Sequence, residues 1–397
     1  MFYRFFQRPF DYFFPLILFV LLLMYAFYDV SSSAQAGNLD VSRNSVYIII
    51  IAILSFLFVS ILIQGFRYHL KLPILPSVFM ILLWIIINNL VNETMGRPAQ
   101  INIMICLLWV CAYYSFYLIA RKAHFDHFFD SFFAVLFLVY CGINIYAQQN
   151  IAIAYGRDYG MTSYSYYLLS FLPALLLGKN RKCRSVLVIV CSIMILFSFK
   201  RGPILALPVI LSVYWLSRAK LGEIRMRFSR IIMLVIVAYG VLLFVNHITN
   251  GFLLDRFSSQ ELSSASGRDQ MWTNTLEHIR NRDINVLLIG TGSGTSIQLL
   301  GTGVHNEWLE FLYTFGIIGV FLYFIFFISL IRRYSQLLRL RSKYSPQYGS
   351  AVAFFFLSGL TDGFFFVYWT FYFFSTIGYI EALKYREFKG QNNANAF

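Results

Sequence analysis

Residues 308–330 read WLEFLYTFGIIGVFLYFIFFISL, and Glu310 is the one charged residue among them. A helix needs about 20 predominantly apolar residues to cross the hydrocarbon core of a bilayer. The stretch is long enough for this, and it is too apolar for a helix that lies half-exposed on a soluble protein. The sequence therefore predicts a membrane-spanning helix at this point of the chain.

The same pattern recurs along most of the chain. We predict further spans at 10–28, 45–65, 73–91, 101–120, 129–147, 164–178, 185–199, 204–217, 231–248, 348–361 and 364–382. The composition agrees, because 59% of the residues are apolar and only 13% are charged, against about 25% charged in soluble domains. This excludes a soluble globular domain, a disordered chain and a disulfide-stapled secreted scaffold. The predicted fold is all-α, a polytopic membrane bundle of about 12 transmembrane helices.

The distribution of Lys and Arg predicts the orientation of this bundle. Basic residues concentrate in alternate connecting segments, above all in 179–184, 218–230 and 331–347. Cytoplasmic loops carry such an excess, so we predict that both termini are cytoplasmic. The net charge of +14 then reflects topology, and no nucleic-acid partner is expected. The predicted organisation is nine helices in 1–248, a long external loop with short helices in 249–307, and three helices with a cytoplasmic tail in 308–397.

The external face also carries basic residues that the topology does not require. Arg256, Arg268, Arg280 and Arg282 lie in the long loop, and the pair Lys200-Arg201 lies between two spans on the same side. They fit either phospholipid headgroups or a diphosphate, which the planar fork of Arg pairs well. An enzyme facing outward has no ATP, so its substrate must carry its own activation, as a lipid-diphosphate sugar does.

Two parts of the long loop have a recognisable local pattern. The run 263–272, SSASGRDQMW, is typical of a loop that enters a helix, and it places Arg268 in the first turn, where backbone N–H groups favour an anion. Trp272, Leu276 and Ile279 then share one face, which predicts a helix at the membrane interface. The run 290–294, GTGSG, lacks the Lys-Ser/Thr of a phosphate-binding loop, and we interpret it as a flexible turn.

The residues before span 308–330 are the main catalytic candidates. His305 lies at the start of the helix on the water side, and imidazole is the usual general base near neutral pH. Asn306, Glu310 and Tyr313 form one polar stripe that enters the bundle, and a carboxylate inside a span is usually functional. The role of Glu307 stays open between orienting His305 and serving as a solvated first-turn acid. A further candidate, in the short outward turn after span 348–361, is Asp362, which fits either a helix cap or the site.

Three motifs together resemble a known family. His305-Asn306, nine residues, and then Gly316-Ile317-Ile318-Gly319 match the pattern H-[NSQ]-x9-G-x-x-[GTY] of bacterial O-antigen ligases, and polysaccharide repeat-unit polymerases carry closely related segments. The run 199–203, FKRGP, resembles the arginine that starts an earlier span in these proteins. Ser266-Gly267-Arg268 through Trp272 resembles their Ser-Gly-Arg…Trp segment. The resemblance covers roughly residues 200–320.

The resemblance implies a glycosyltransferase of the bacterial inner membrane whose active site faces the periplasm. Its donor would be an undecaprenyl-diphosphate-linked glycan, held by Arg201 and Arg268, with Lys200 and Arg157 as further candidates. An acceptor hydroxyl activated by His305 would attack the anomeric carbon and invert it. Asn306, Tyr313 and Asp362 are candidate glycan contacts, with Glu307 and Glu310 assisting His305. No metal or other cofactor is expected, because no outward Asp-x-Asp pair is present.

The resemblance leaves the acceptor open. A polymerase extends another lipid-linked glycan, sometimes with a chain-length regulator protein as partner, whereas a ligase transfers the glycan to the lipid A core. The Gly-Arg-Asp-x-x-Trp run and the run 305–312, HNEWLEFL, favour the polymerase. A lipid-linked glycan transporter also fits twelve spans, but transporters place ionisable residues near the midplane and show half-to-half repeats. Here the predicted spans are nearly free of charge.

Overall fold

The structure is a computed structural model, and it describes residues 74–121, 126–154, 156, 158–178, 180–224, 239–258, 268–300, 304–361 and 370–394 of the chain. The fold is all-helical, with 82% helix and no strand in these ranges. The helices in chain order are α1 (Leu75–Val91), α2 (Arg97–Ala120), α3 (Asp126–Ala154), α4 (Tyr164–Leu175), α5 (Arg181–Leu196), α6 (Arg201–Lys220), α7 (Tyr239–Ile248), α8 (Phe252–Asp255), α9 (Arg268–Arg280), α10 (Ile284–Ile289), α11 (Thr295–Leu300), α12 (Glu307–Arg339), α13 (Ser345–Thr361) and α14 (Thr370–Ala394).

Helices occupy the predicted spans wherever the structure describes them. Within the described residues, α2, α3, α6 and α12 each contain a stretch long and apolar enough to cross a membrane, and α1 and α7 are shorter apolar helices. The prediction of a helical membrane protein is confirmed, whereas the count of twelve spans stays a prediction. The predicted spans 10–28 and 45–65 lie outside the described residues.

Aromatic side chains form much of the bundle core. Helix α2 is buried over most of its length and packs against α14. Trp109 of α2 stacks on Phe374 of α14 with ring centroids 4.8 Å apart, and Phe129 of α3 stacks on Tyr379 of α14 at 3.5 Å. Offset and edge-on aromatic pairs add stabilisation beyond the area they bury. Around this centre, α13 packs against α6, and α12 packs against α1.

Two buried ion pairs lie in the half of the bundle away from the start of α12. Arg333 donates two hydrogen bonds to the carboxylate of Glu381, which is almost fully buried. Arg386 donates to Asp126 at 2.7 Å, and the Tyr379 hydroxyl donates to the same oxygen at 2.8 Å. A buried charge is tolerated when it is paired and hydrogen-bonded in this way. We call the opposite end of the bundle, where α12 begins, the His305 end.

The segment 249–307 contains four short helices in its described residues, α8 to α11. Helices α10 and α11 are joined by the glycine-rich turn and form what we call the 284–300 hairpin. This hairpin packs along the first turns of α12. The described part of the long segment therefore packs against the bundle at the His305 end, where the sequence motifs lie.

Candidate functional site

Helix α12 is broken at Gly316, whose φ of +67° and ψ of −170° lie far from helical values. The break leaves the carbonyl oxygens of the preceding turn without helical partners, and other segments supply them. Tyr313 O accepts from Arg282 Nη1 at 2.9 Å and from Thr291 N at 3.3 Å. Thr314 O accepts from Gly292 N, and Phe315 O accepts from Trp84 Nε1. These carbonyl oxygens, which the kink removes from the helical pattern, therefore all have hydrogen-bond donors.

The glycine-rich turn packs directly against this kink. A Cβ atom at Gly316 would overlap Leu288 O, and one at Gly290 would overlap Thr314 O. Only glycine permits two backbones to approach so closely, and both glycines have positive φ. At Gly319, Trp84 Nε1 of α1 lies 3.3 Å from the position that a Cβ atom would take, so α1 also approaches α12 closely there.

The interpretation of this turn as flexible is wrong, because its tip is bound by three asparagines of α1 and α2. Asn88 Nδ2 donates to Ile289 O at 2.5 Å, and Asn89 Oδ1 accepts from Ser293 N at 2.8 Å. Asn102 Nδ2 donates to Ser293 Oγ at 2.9 Å. Ser293 is buried, so the turn is an anchored part of the bundle.

Glu310 ties three segments together. Its carboxylate accepts hydrogen bonds from Ser296 Oγ on the hairpin, from Val304 N at 3.0 Å and from Thr314 Oγ1 at 3.2 Å. A negative charge in the first turn of α12 is also favoured by the helix dipole. Glu310 therefore fixes the backbone immediately before His305.

The other side of the same peptide is held by Trp272. Its indole Nε1 donates to Val304 O at 3.0 Å, so both backbone polar groups of Val304 are bound to side chains. His305 follows with φ of +53°, in the left-handed region that histidine tolerates better than most residues but that still requires support. The loop is thus constrained to present His305 at the start of α12.

The remaining candidates on α12 have structural contacts. Asn306 caps the helix, and its side chain accepts from Leu309 N at 3.2 Å. Glu307 is fully buried beside α13. A Cβ atom added at Gly359 of α13 would lie 3.4 Å from the Cβ atom of Glu307. The predicted alternative of a solvated Glu307 is therefore wrong. Tyr313 is buried, and the Arg282 guanidinium lies 3.7 Å from the centroid of its ring.

The sequence does not distinguish Arg282 from the other arginines of the long loop. Its function in the fold depends on the kink, because it binds Tyr313 through both the ring and the carbonyl oxygen. Burial lowers the pKa of its guanidinium from the usual value, and the contact with Tyr313 acts in the opposite direction. Arg282 therefore supports the start of α12.

The Lys200-Arg201 pair lies at the start of α6. Phe199 has φ of +54° and is buried, so the chain turns sharply before the helix begins at Arg201. Lys200 Nζ donates to Ser163 Oγ at 2.6 Å and lies 5.5 Å from the ring centroid of Tyr166. A Cβ atom at Gly202 would collide with the Tyr166 hydroxyl, which explains the glycine in the Lys-Arg-Gly run.

Arg268 reaches the same neighbourhood from α9. Its Nη1 donates to Thr361 O, at the end of α13, at 2.5 Å. The Thr361 hydroxyl accepts from the Tyr166 hydroxyl at 2.8 Å, and Tyr166 lies between Lys200 and Gly202. Two basic motifs that are more than sixty residues apart in sequence thus meet around Thr361 and Tyr166.

Two predicted site residues, Arg157 and Asp362, lie outside the described residues. The structure adds Tyr166, Thr361 and Ser296, which sequence analysis did not name. Tyr166 lies in a run of tyrosines and Ser296 in a short polar helix, and neither pattern distinguishes them from their neighbours. The sequence signal nearest to Thr361 is its neighbour Asp362, which is a predicted site residue.

The fold and the hydropathy of its helices define a multi-pass helical membrane protein. Comparison with known families adds that residues 186–324 match the profile of the O-antigen ligase family. This match covers about a third of the chain, and it supports the resemblance to the O-antigen ligase-related superfamily that the motifs indicate. The match includes α6, α9, the 284–300 hairpin and the start of α12, and hence most of the geometry described above. No curated protein matches the chain.

Proposed function

We propose that this protein is a glycosyltransferase that polymerises polyprenyl-diphosphate-linked oligosaccharide repeat units at the periplasmic face of a bacterial inner membrane. The observation that carries the proposal is the convergence of Lys200, Gly202 and Arg268 around Tyr166 and Thr361, which places the first turn of α6, with Arg201, beside Arg268. The match of residues 186–324 to the O-antigen ligase family supports the reaction class, since members of that family transfer glycans.

The basic cluster is suited to a diphosphate. Arg201 begins α6, where the N-terminus of the helix and its dipole also favour an anion. Arg268 is the first described residue of α9. One guanidinium nitrogen of Arg268 donates to Thr361 O. This bond fixes the orientation of the guanidinium group, whose other nitrogens can donate to a diphosphate. Donors held in place before the reaction stabilise charge that develops on a leaving group.

The proposed reaction is a direct displacement at the anomeric carbon. An acceptor hydroxyl gives its proton to His305, and its oxygen forms the new bond to the anomeric carbon. The bond from that carbon to the diphosphate oxygen breaks, and its electron pair leaves with the polyprenyl diphosphate. Arg201 and Arg268 stabilise the negative charge on the departing diphosphate. Attack from the opposite face inverts the anomeric configuration.

We assign Glu310 and Trp272 to positioning His305. Glu310 is one of the candidate catalytic residues, but its three hydrogen bonds hold the hairpin and the backbone of Val304. Trp272 lies one turn after Arg268 on α9, about 6 Å further along the helix axis. It therefore links the diphosphate-binding residue to the loop that carries His305.

A second candidate function is O-antigen ligation, which the family match supports equally. The ligase and the polymerase use the same donor, and they differ in whether the acceptor is the lipid A core or another lipid-linked repeat unit. The positions proposed for His305, Arg201 and Arg268 serve both reactions. The two functions are therefore separated by the acceptor and not by the catalytic residues.

The acceptor is tested by reconstituting the purified protein in liposomes with the lipid-diphosphate-linked repeat unit as the only glycan. Polymerisation predicts a ladder of products that differ by one repeat unit. Transfer that requires added lipid A core would overturn the polymerase in favour of the ligase. If neither product forms while the lipid-linked glycan crosses the bilayer, the transporter is the correct function.

A further inference from the structure

We infer that the 284–300 hairpin enters the apolar layer of the membrane at the His305 end, with its exposed side chains against lipid acyl chains. The inference concerns where the hairpin lies, and it does not depend on the reaction that the protein catalyses. It rests on the depth at which the hairpin tip is bound, on its exposed apolar surface and on the pairing of its backbone.

The depth of the tip is set by α1. Asn88 and Asn89, in the last turn of α1, bind the backbone of Ile289 and Ser293. The same turn exposes apolar side chains on its outer surface, namely Ile87, Leu90 and Val91. A span that presents such residues is in contact with lipid at that level. The tip of the hairpin therefore lies level with a lipid-facing turn.

The hairpin itself exposes large apolar side chains. No side chain of α10, with the sequence INVLLI, is buried, and Ile284 is 64% and Leu288 39% exposed. On α11, Ile297 is 53% exposed and Leu299 is exposed as well. Several exposed large apolar side chains on two neighbouring helices mark a contact with a membrane or a partner.

Exposed apolar residues of α12 lie beside the hairpin. Gly316 contacts Leu288 and Ile289, and the residues that follow it, Ile317 and Ile318, are exposed and apolar. Phe321, on the span one turn later, is also exposed. The occupant that covers a transmembrane helix there is lipid, and this adjacency assigns the same occupant to the hairpin.

Non-helical backbone is tolerated inside a bilayer only where protein groups pair it. The turn 290–294 meets this condition, because Asn88 and Asn89 bind its two ends and Gly292 N donates to Thr314 O. Thr291 N donates to Tyr313 O. A turn that faced bulk water would not need these partners, and its sequence carries five residues without one charge.

The test is the accessibility of spin labels in liposomes. Leu288→Cys and Ile297→Cys are labelled in a Cys183→Ser background, since Cys183 is the exposed cysteine in the described part of the chain. Glu277→Cys and Asn281→Cys, both on exposed positions just before the hairpin, are the matched controls. Collisions of each label with oxygen and with a water-soluble nickel chelate are measured by electron paramagnetic resonance.

We expect the ratio of oxygen to nickel-chelate accessibility to be severalfold higher at 288 and 297 than at 277 and 281. Accessibility to the nickel chelate equal to that of the controls would overturn the inference, since the hairpin would then lie in water. Low accessibility to both reagents would also overturn it, because protein would then cover the surface. Ile284→Cys and Leu299→Cys provide a second pair if a first substitution disturbs folding.

Discussion

The indole N–H of Trp272 donates a hydrogen bond to the carbonyl oxygen of Val304 at 3.0 Å. This bond joins the Ser-Gly-Arg…Trp segment to the His-Asn segment, which are separate motifs in the sequence. Because Glu310 binds the N–H of the same residue, the peptide before His305 is held from both sides. The two motifs therefore act as one unit, with Arg268 at one end and His305 at the other.

We expect Trp272→Phe to lower kcat by up to about tenfold, because it removes one hydrogen bond of about 1 kcal/mol and leaves an aromatic ring in place. KM for the lipid-linked donor should change little. The steady-state rate of glycan transfer by purified protein in liposomes measures both. Trp215→Phe, at an exposed position of α6, is the control and should keep the rate of the unmodified protein. A Trp272→Phe variant with unchanged kcat would contradict the positioning role.

Glu310→Gln separates a positioning role from a catalytic one. A glutamine has one oxygen acceptor in place of two, so at least one of the three donors loses its partner, and kcat should fall. Loss of a general base typically costs about 10²–10⁴-fold, so Glu310→Gln should remain clearly more active than His305→Ala. The shape of its pH–rate profile should match that of the unmodified protein. If a folded Glu310→Gln variant is as inactive as His305→Ala, Glu310 takes part in the chemistry.

Arg268→Lys and Arg201→Lys should each reduce kcat/KM by about tenfold or more, because a point charge does not replace the bidentate fork of arginine. The conservative change keeps the net charge, so any loss reports geometry. Arg280→Lys, at the exposed end of the same helix as Arg268, should retain full activity. Titration of the donor lipid under single-turnover conditions checks this. Equal activity of Arg268→Lys and Arg280→Lys would remove Arg268 from the site.

Gly316→Ala should destabilise the fold and reduce turnover, because its Cβ would overlap Leu288 O and its φ is +67°. The backbone at φ +67° and ψ −170° lies in a region that is almost exclusive to glycine, and it costs about 1–3 kcal/mol for a residue with a side chain. Gly142→Ala is the matched control, since nothing lies within 4 Å of its Cβ position and alanine favours a helix. The midpoint of thermal unfolding in detergent should fall for Gly316→Ala only. An unchanged midpoint would show that the kink is not required.

Sequence patterning predicted the helices well and the contacts between them poorly. A span such as 308–330 is predicted from hydropathy, which is a property of the residues themselves. The partners of Glu310 come from Ser296 and Val304, and the kink at Gly316 depends on Gly290, which lies in a separate segment. Such contacts arise only once the long loop folds back onto α12, and no local pattern encodes them.

The candidate site shows the same division. The sequence motifs identify Arg201, Arg268 and His305, because charged or polar groups at the ends of apolar spans call for a functional explanation. Tyr166 and Thr361 bring two of these motifs together, yet each is an ordinary residue in its own helix. The interpretation of 290–294 as a flexible turn is wrong for a related reason. Its glycines permit close packing against α12, and the sequence alone does not show this.

The proposed role of His305 is tested by product formation by the His305→Ala variant in liposomes that contain the lipid-diphosphate-linked repeat unit. Purified His305→Ala and His278→Ala are compared with the unmodified protein, since His278 is an exposed histidine on α9. We expect longer glycan chains from the unmodified protein and from His278→Ala, and none from a folded His305→Ala variant. Chains of ordinary length from His305→Ala would contradict this role.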